Sequence, residues 1–210
     1  MSDPNTSSRP DNIIKLDNER HDLLWGVQRS VRYHMARKRF FLNWHHVTSA
    51  LVVIFTSSTA TVLLTTAFGI SGSGAAVAAG LAAVAAIAAA LDMVFAITQK
   101  AWTHGDLAKQ WINLERDIVK SNPRDENALK AFQDQRLVIE MEEPPILEVL
   151  DIQMHNALCK ARGFAKSQQY KIGFFQSLLS QFVDIRPNSI ERNPIAKGYT
   201  ERPADGNQCD

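Results

Sequence analysis

No Lys, Arg, Asp or Glu occurs from Phe40 to Leu91. An uncharged interval of that length excludes an ordinary solvated surface and leaves two places for it, a bilayer or the core of a soluble protein. Cysteine is scarce: Cys159 and Cys209 stand far apart, with no C-x-x-C and no His at metal spacing, which excludes a disulfide framework and points to free cytosolic thiols. The net charge of +1 removes any bulk electrostatic case for nucleic-acid binding. The first residues are polar and lack the charged-then-apolar layout of a cleaved signal peptide. Phosphate loop, nucleophile elbow and dinucleotide fingerprint are all missing; Gly72-x-Gly74 lies between two apolar runs, not between strand and helix. Neither catalysis nor a cofactor or metal is expected.

What is present is a hairpin. The segment Gly69-Ile70-Ser71-Gly72-Ser73-Gly74 divides the interval into stretches 47–68 and 75–98. Each reaches the roughly 20 apolar residues that match about 30 Å of hydrocarbon. Arg29, Arg32, Arg37, Lys38 and Arg39 precede the first stretch, Lys100 and Lys109 follow the second, and the 69–74 loop is uncharged. The positive-inside bias predicts cytoplasmic termini and an external loop. Phe40, Phe41, Trp44 and Trp102 stand where an interfacial aromatic belt is placed, so Arg37, Lys38, Arg39 and these four form the expected membrane-interface set. A buried soluble hairpin is the alternative, and so short a chain has little other apolar surface with which to wrap it.

The second stretch puts Val77, Leu81, Val84, Leu91 and Phe95 on one helical face and Ala78, Ala82, Ala85, Ala89 and Ala96 on the other. Small residues allow close helix approach in lipid. Asp92 shares the small face, at a cost of about 2.5–3.5 kcal/mol at mid-membrane and less toward an interface. It could line a cation path, respond to protonation, hold subunits together, or be a hydrated interfacial acid. The first stretch is rich in hydroxyls, and Ser58, Thr61 and Thr65 share a face. Such groups hydrogen-bond across helices, or back-bond to their own helix. Asp92, Ser58, Thr61, Thr65, Ala85 and Ala89 are the candidate pore or subunit contacts. His45 and His46 read as interfacial residues beside Trp44, since helix neighbours point about 100° apart and cannot readily share a metal.

The rest is amphipathic. Leu16, Leu24, Val27, Val31 and Met35 keep helical spacing over 12–46, ahead of the first span. Leu107, Trp111, Leu114 and Ile118 form a second stripe that Ser121-Asn122-Pro123 ends, and a helix over 123–143 follows. Pro144-Pro145 opens the next, with Ile146, Leu150, Met154 and Leu158, and Ile172, Phe175, Leu179 and Phe182 make a last stripe. Glu140, Glu142 and Glu143 read as a solvated face. The expected organisation is a disordered 1–11, an amphipathic helix 12–46, a transmembrane hairpin 47–98, cytoplasmic helices 99–185 and a disordered tail 186–210. The fold class is all-α.

Several of these residues fall in an ordered pattern around the hairpin: Arg29-x-x-Arg32-Tyr33-x-x-x-Arg37-x-x-Phe40-Phe41 before it, and Trp102-x-His104-x-x-Leu107-x-x-x-Trp111-x-x-Leu114-Glu115 after it. Pro144-Pro145 and His155-Asn156-Ala157-Leu158 come later. Over about residues 17–185 the chain resembles the SLATT family, two-transmembrane effector domains associated with SMODS nucleotidyltransferases and SLOG sensors. The resemblance implies a bacterial inner-membrane effector of conflict or antiviral defence. Its partners would be membrane lipid, further copies of itself, and a separate sensor or nucleotidyltransferase chain or the nucleotide it makes. Such a domain perforates the membrane when triggered. The rival reading is a non-conducting adaptor that recruits a soluble partner through its cytoplasmic helices.

Overall fold

The computed structural model describes residues 8–69, 74–94 and 96–194. Among them the chain is all-α apart from one pair of two-residue strands. Helices α1 (Ser8–Ala67), α2 (Gly74–Val94), α3 (Ile97–Lys120), α4 (Glu126–Met141), α5 (Glu148–Ala161) and α6 (Phe174–Leu179) follow in order. Strands β1 (Tyr170–Lys171) and β2 (Glu191–Arg192) pair antiparallel.

The amphipathic stretch and the first apolar stretch are one helix. Within α1 the only proline, Pro10, lies in the first turn, where a missing N–H costs no hydrogen bond. The change from charged to apolar sequence at Phe40 alters the surroundings of the helix and not its backbone. Gly69, at φ +75°, takes the left-handed conformation that follows a helix end. The expected 75–98 helix is shorter: α2 stops at Val94, Ala96 adopts φ +46°, and α3 begins at Ile97.

The contacts divide the chain into two units, one made of residues 1–35 and 106–210, the other of Ala36–Gly105. In the first, the predicted stripes form the core. Leu23, Val27, Leu107, Trp111, Leu114, Ile118, Leu129 and Ile139 are buried together, with Leu16, Leu24, Val31 and Phe132 packed on them. Met35 alone of the α1 stripe is exposed. Arg20 donates to the Ile118 carbonyl at the end of this core.

Helix starts are set by caps rather than by prolines. Helix α4 begins three residues after Pro123, because Asp125 accepts a hydrogen bond from the Ala128 N–H at 3.0 Å. Asp125→Ala is expected to cost about 1 kcal/mol, read as a thermal midpoint lower by roughly 2–4 °C in mild detergent. Helix α5 has no side-chain cap of its own at Leu147. Asp184 supplies one from a distant part of the chain, accepting from the N–H groups of Glu148 (2.9 Å) and Val149 (3.0 Å).

Disorder does not begin at Arg186, as the polar composition suggested. Residues through Pro194 fold back: β2 pairs with β1, and the Asn193 N–H donates to the Gln169 carbonyl. Backbone pairing and the Gln176 side chain hold this segment without needing apolar residues. Residues 1–7 and 195–210, parts of the two expected disordered ends, lie outside the described residues.

Candidate functional site

The hairpin unit holds a polar cluster inside apolar surroundings. His45 on α1 brings Nδ1 to 3.1 and 3.2 Å from the two carboxylate oxygens of Asp92 on α2, and to 3.3 Å from the Thr98 hydroxyl. With Asp92 as an ionised carboxylate, which only accepts, the donor in this contact is an Nδ1–H. Thr48 sits one turn further along α1, 8 % exposed, with its hydroxyl at hydrogen-bond distance from the His45 carbonyl (3.0 Å) and 3.5 Å from Asp92 Oδ1. His45, read from the sequence as an interfacial neighbour of Trp44, also meets Asp92.

Part of the small face meets the same chain's first helix. Ala78 and Ala85 are buried at 1 % and 3 %, and Thr59 donates across to the Ala78 carbonyl at 3.3 Å. Ala89 is exposed and lines an apolar groove of about 390 Å³ with Val52, Thr56, Leu63 and Ala82. Large residues are among those that face outward: Ile54, Leu64, Val77 and Ile87 are each more than half exposed.

The hydroxyl stripe back-bonds. Ser58 donates to the Ile54 carbonyl (2.8 Å), Thr61 to Ser57 (3.0 Å), Thr56 to Val52 (2.6 Å). Neither Ser58 nor Thr61 joins Asp92; Thr48 does, and the side chain of Thr65 lies outside the described residues.

Of the expected interface set, Trp44 and Trp102 are exposed at 41 % and 61 %, as a belt requires, and Lys38 and Arg39 lie on the same stretch of α1. Phe41 differs. It is buried with Ile97 and Ala101, stacked on His104 at 5.7 Å, with the Arg37 guanidinium 4.6 Å above its ring. Phe40 takes the Trp44 ring on its other side. Lys38 lays its stem over Gly105, where a Cβ would come within 3.3 Å of it.

In the other unit, the reading of Glu143 as solvated is also corrected. Its side chain is 6 % exposed and accepts from His34 Nε2 and Trp111 Nε1, both at 2.7 Å. The adjoining proline turn is held by the Leu147 N–H donating to Tyr33. Beside it lies a cavity of about 440 Å³, lined in part by Arg29, Ser30, Arg136 and Asp151. Its arginines are matched internally, Arg29 with Asp151 at 3.3 Å and Arg136 with Glu140 at 2.7 Å. Arg29 is thereby tied into this bundle.

His155 and Cys159 sit one turn apart on α5, Sγ 3.4 Å from Nε2, with Cys159 fully buried, so solvent does not reach the thiol. His155 also donates to the Gln168 carbonyl. Burial, aided by Arg29 and Arg192, holds the His155 imidazole below its ordinary 6.5. The unfolded chain therefore takes up a proton first as pH falls past 6.5, and the stability carried by neutral His155 is present above that value and lost below it. Asp151 acts oppositely: burial pushes its carboxyl up, so its protonation favours the fold at lower pH, toward 3.8. We expect the thermal midpoint of this unit to fall between pH 8 and pH 5.5, and His155→Gln to flatten that slope. An equal slope in the variant would remove His155 from the account.

Among the described residues no group of three His, Cys, Asp or Glu is placed to hold a metal. No protein-family model, no curated protein and no solved structure matches this chain. The class rests on the fold: an all-α protein with two helices long and apolar enough to cross a membrane. Only 6 % and 13 % of their apolar windows are buried, unlike the core helices of a soluble protein.

Proposed function

We propose that this chain is a bacterial inner-membrane effector of conflict or antiviral defence. Its hairpins assemble into a pore or breach the bilayer on a signal from a separate sensor, nucleotidyltransferase chain or nucleotide. Both termini face the cytoplasm. The observation that carries the reading is the His45–Asp92 pair, a hydrogen-bonded acid and imidazole within an otherwise uncharged hairpin. Ionisable groups in such surroundings are costly and mark ion paths, proton responses or subunit contacts. One hairpin encloses no aqueous path, so conduction requires several copies, and the exposed faces of α1 and α2 supply contact area for them. The order of motifs around the hairpin, in its resemblance to SLATT domains, supports the defence role.

The test is membrane potential and dye entry in cells expressing the chain with its genomic neighbours under phage challenge. Depolarisation that depends on the chain is the expected result. An intact potential, with the protein confirmed in the membrane and its neighbours active, overturns the pore and leaves the adaptor.

A further inference from the structure

Outside the hairpin unit, a group of large exposed apolar side chains lies on α6. Phe174 and Phe175 are 74 % and 70 % exposed and Leu178 is 59 % exposed, close together on one short helix. A soluble surface rarely groups such residues without a partner for them.

Their exposure is not that of a loose strand. The Gln176 side chain accepts from the Gly173 N–H (2.9 Å) and donates to the carbonyl of Ile185 (3.0 Å) and to Ser189 Oγ (3.1 Å). Ser180, 1 % exposed, bonds the Ser177 carbonyl and Gln153 Oε1. Gln153 in turn donates to Ser177. Helix α6 is thus bolted to α5 by its polar side chains while its rings point away.

The same segment is basic. Residues 160–192 contain six Lys or Arg against two acids, a net of four positive charges in a chain whose total is +1. One of those acids, Asp184, is turned onto the α5 backbone as its cap. Lys166, Lys171 and Arg186, in the segments before and after α6, are exposed. Aromatic and aliphatic side chains beside basic ones are the composition of an interfacial contact with anionic lipid.

We propose that α6 is a lipid-docking element: Phe174, Phe175 and Leu178 enter the headgroup region of an anionic bilayer while Lys166, Lys171 and Arg186 meet its phosphates. A second copy fits this surface less well. A two-fold contact would set like charges against one another. A bilayer to which the chain is already anchored needs only a small contact, because anchoring keeps the surface at high effective concentration. The proposal rests on the membrane reading of the hairpin.

The test uses the full chain with Cys209→Ser, Cys159 being buried, carrying an environment-sensitive fluorophore at Phe175→Cys and, separately, at Leu178→Cys. Each is placed in nanodiscs of phosphatidylcholine alone or mixed with phosphatidylglycerol. A label at Val84→Cys on α2 reports the hairpin. Expected are a blue-shifted emission and several-fold stronger quenching by headgroup-level lipid spin labels than by iodide in the anionic discs. Lys166→Glu with Lys171→Glu should reverse both. Full iodide access at both positions, with Val84 quenched by lipid, overturns the proposal and keeps the membrane reading. Protection from iodide without lipid quenching, together with cross-linking between copies, also overturns it and assigns the surface to a second copy. A Val84 label open to iodide fails the membrane reading itself.

Discussion

Glu143→Ala is expected to lower the thermal midpoint of the helical bundle by about 8–15 °C, taking roughly 2–4 °C per kcal/mol for a chain of this size. The carboxylate is the acceptor for two donors, His34 Nε2 and Trp111 Nε1, which come from α1 and α3 and are each 1 % exposed. Its removal takes this acceptor from both donors in a dry core. A buried polar group left without its partner costs about 1–3 kcal/mol, and breaking a buried charged contact about 3–5 kcal/mol. Glu143→Gln keeps one acceptor oxygen and should cost less than half as much. Glu142→Ala is the control, since Glu142 is exposed and its side chain accepts from Gln110 on the surface, at 3.0 Å. Its effect should stay within about 0.5 kcal/mol. Scanning fluorimetry of the three purified variants in one detergent makes the comparison. Equal shifts for Glu142→Ala and Glu143→Ala would sink the assignment of Glu143 as the pin of the bundle.

The second large effect concerns Asp92. Under the proposed function, Asp92→Ala should reduce depolarisation at least tenfold while leaving membrane levels equal or higher. Insertion becomes easier, by up to about 2.5–3.5 kcal/mol for an acid at mid-membrane. His45→Ala should give a similar loss, and the double variant should be no worse than either single one, because the two side chains act through one hydrogen-bonded contact. Thr48→Val should fall between, as its hydroxyl lies at the 3.5 Å limit from Asp92. Thr61→Val separates a pore lining from a structural back-bond: the hydroxyl only returns to Ser57 within its own helix, so a strong effect would mean that it faces an aqueous path between copies. Wild-type depolarisation in the His45→Ala, Asp92→Ala double variant would exclude the pair from conduction.

These two residues also mark how far the sequence could be read. The uncharged hairpin was visible because hydropathy and charge are properties of each residue in turn, and a run of them needs no partner to be recognised. The core stripe Leu107, Trp111, Leu114, Ile118 was equally legible, since helical spacing places those side chains on one face before anything packs against it. The local back-bonding of Ser58 and Thr61 follows from chemistry within a single turn. In each case the cause lies within a few residues of its effect.

The corrections have the opposite character. Glu143 looked solvated because its neighbours Glu140 and Glu142 are acidic, while its partner His34 is 109 residues away. The contact of His45 with Asp92 was likewise not legible, because Asp92 is 47 positions distant. Of the residues quoted for the SLATT resemblance, Tyr33, His104, Trp111 and His155 are buried, so at these positions the pattern records packing, while Trp102 is exposed. Phe175 kept helical spacing with Leu179 yet is exposed, because periodicity states which residues share a face and says nothing of what that face meets.

Composition alone therefore determined an all-α chain with a charge-free hairpin and predominantly helical flanks. Tertiary structure decided which polar groups in that chain are committed to one another and which apolar ones remain uncovered. A hydrogen bond is made by whichever donor and acceptor the fold brings within about 3 Å, and burial depends on which face folds onto which. Neither is a property of any segment by itself.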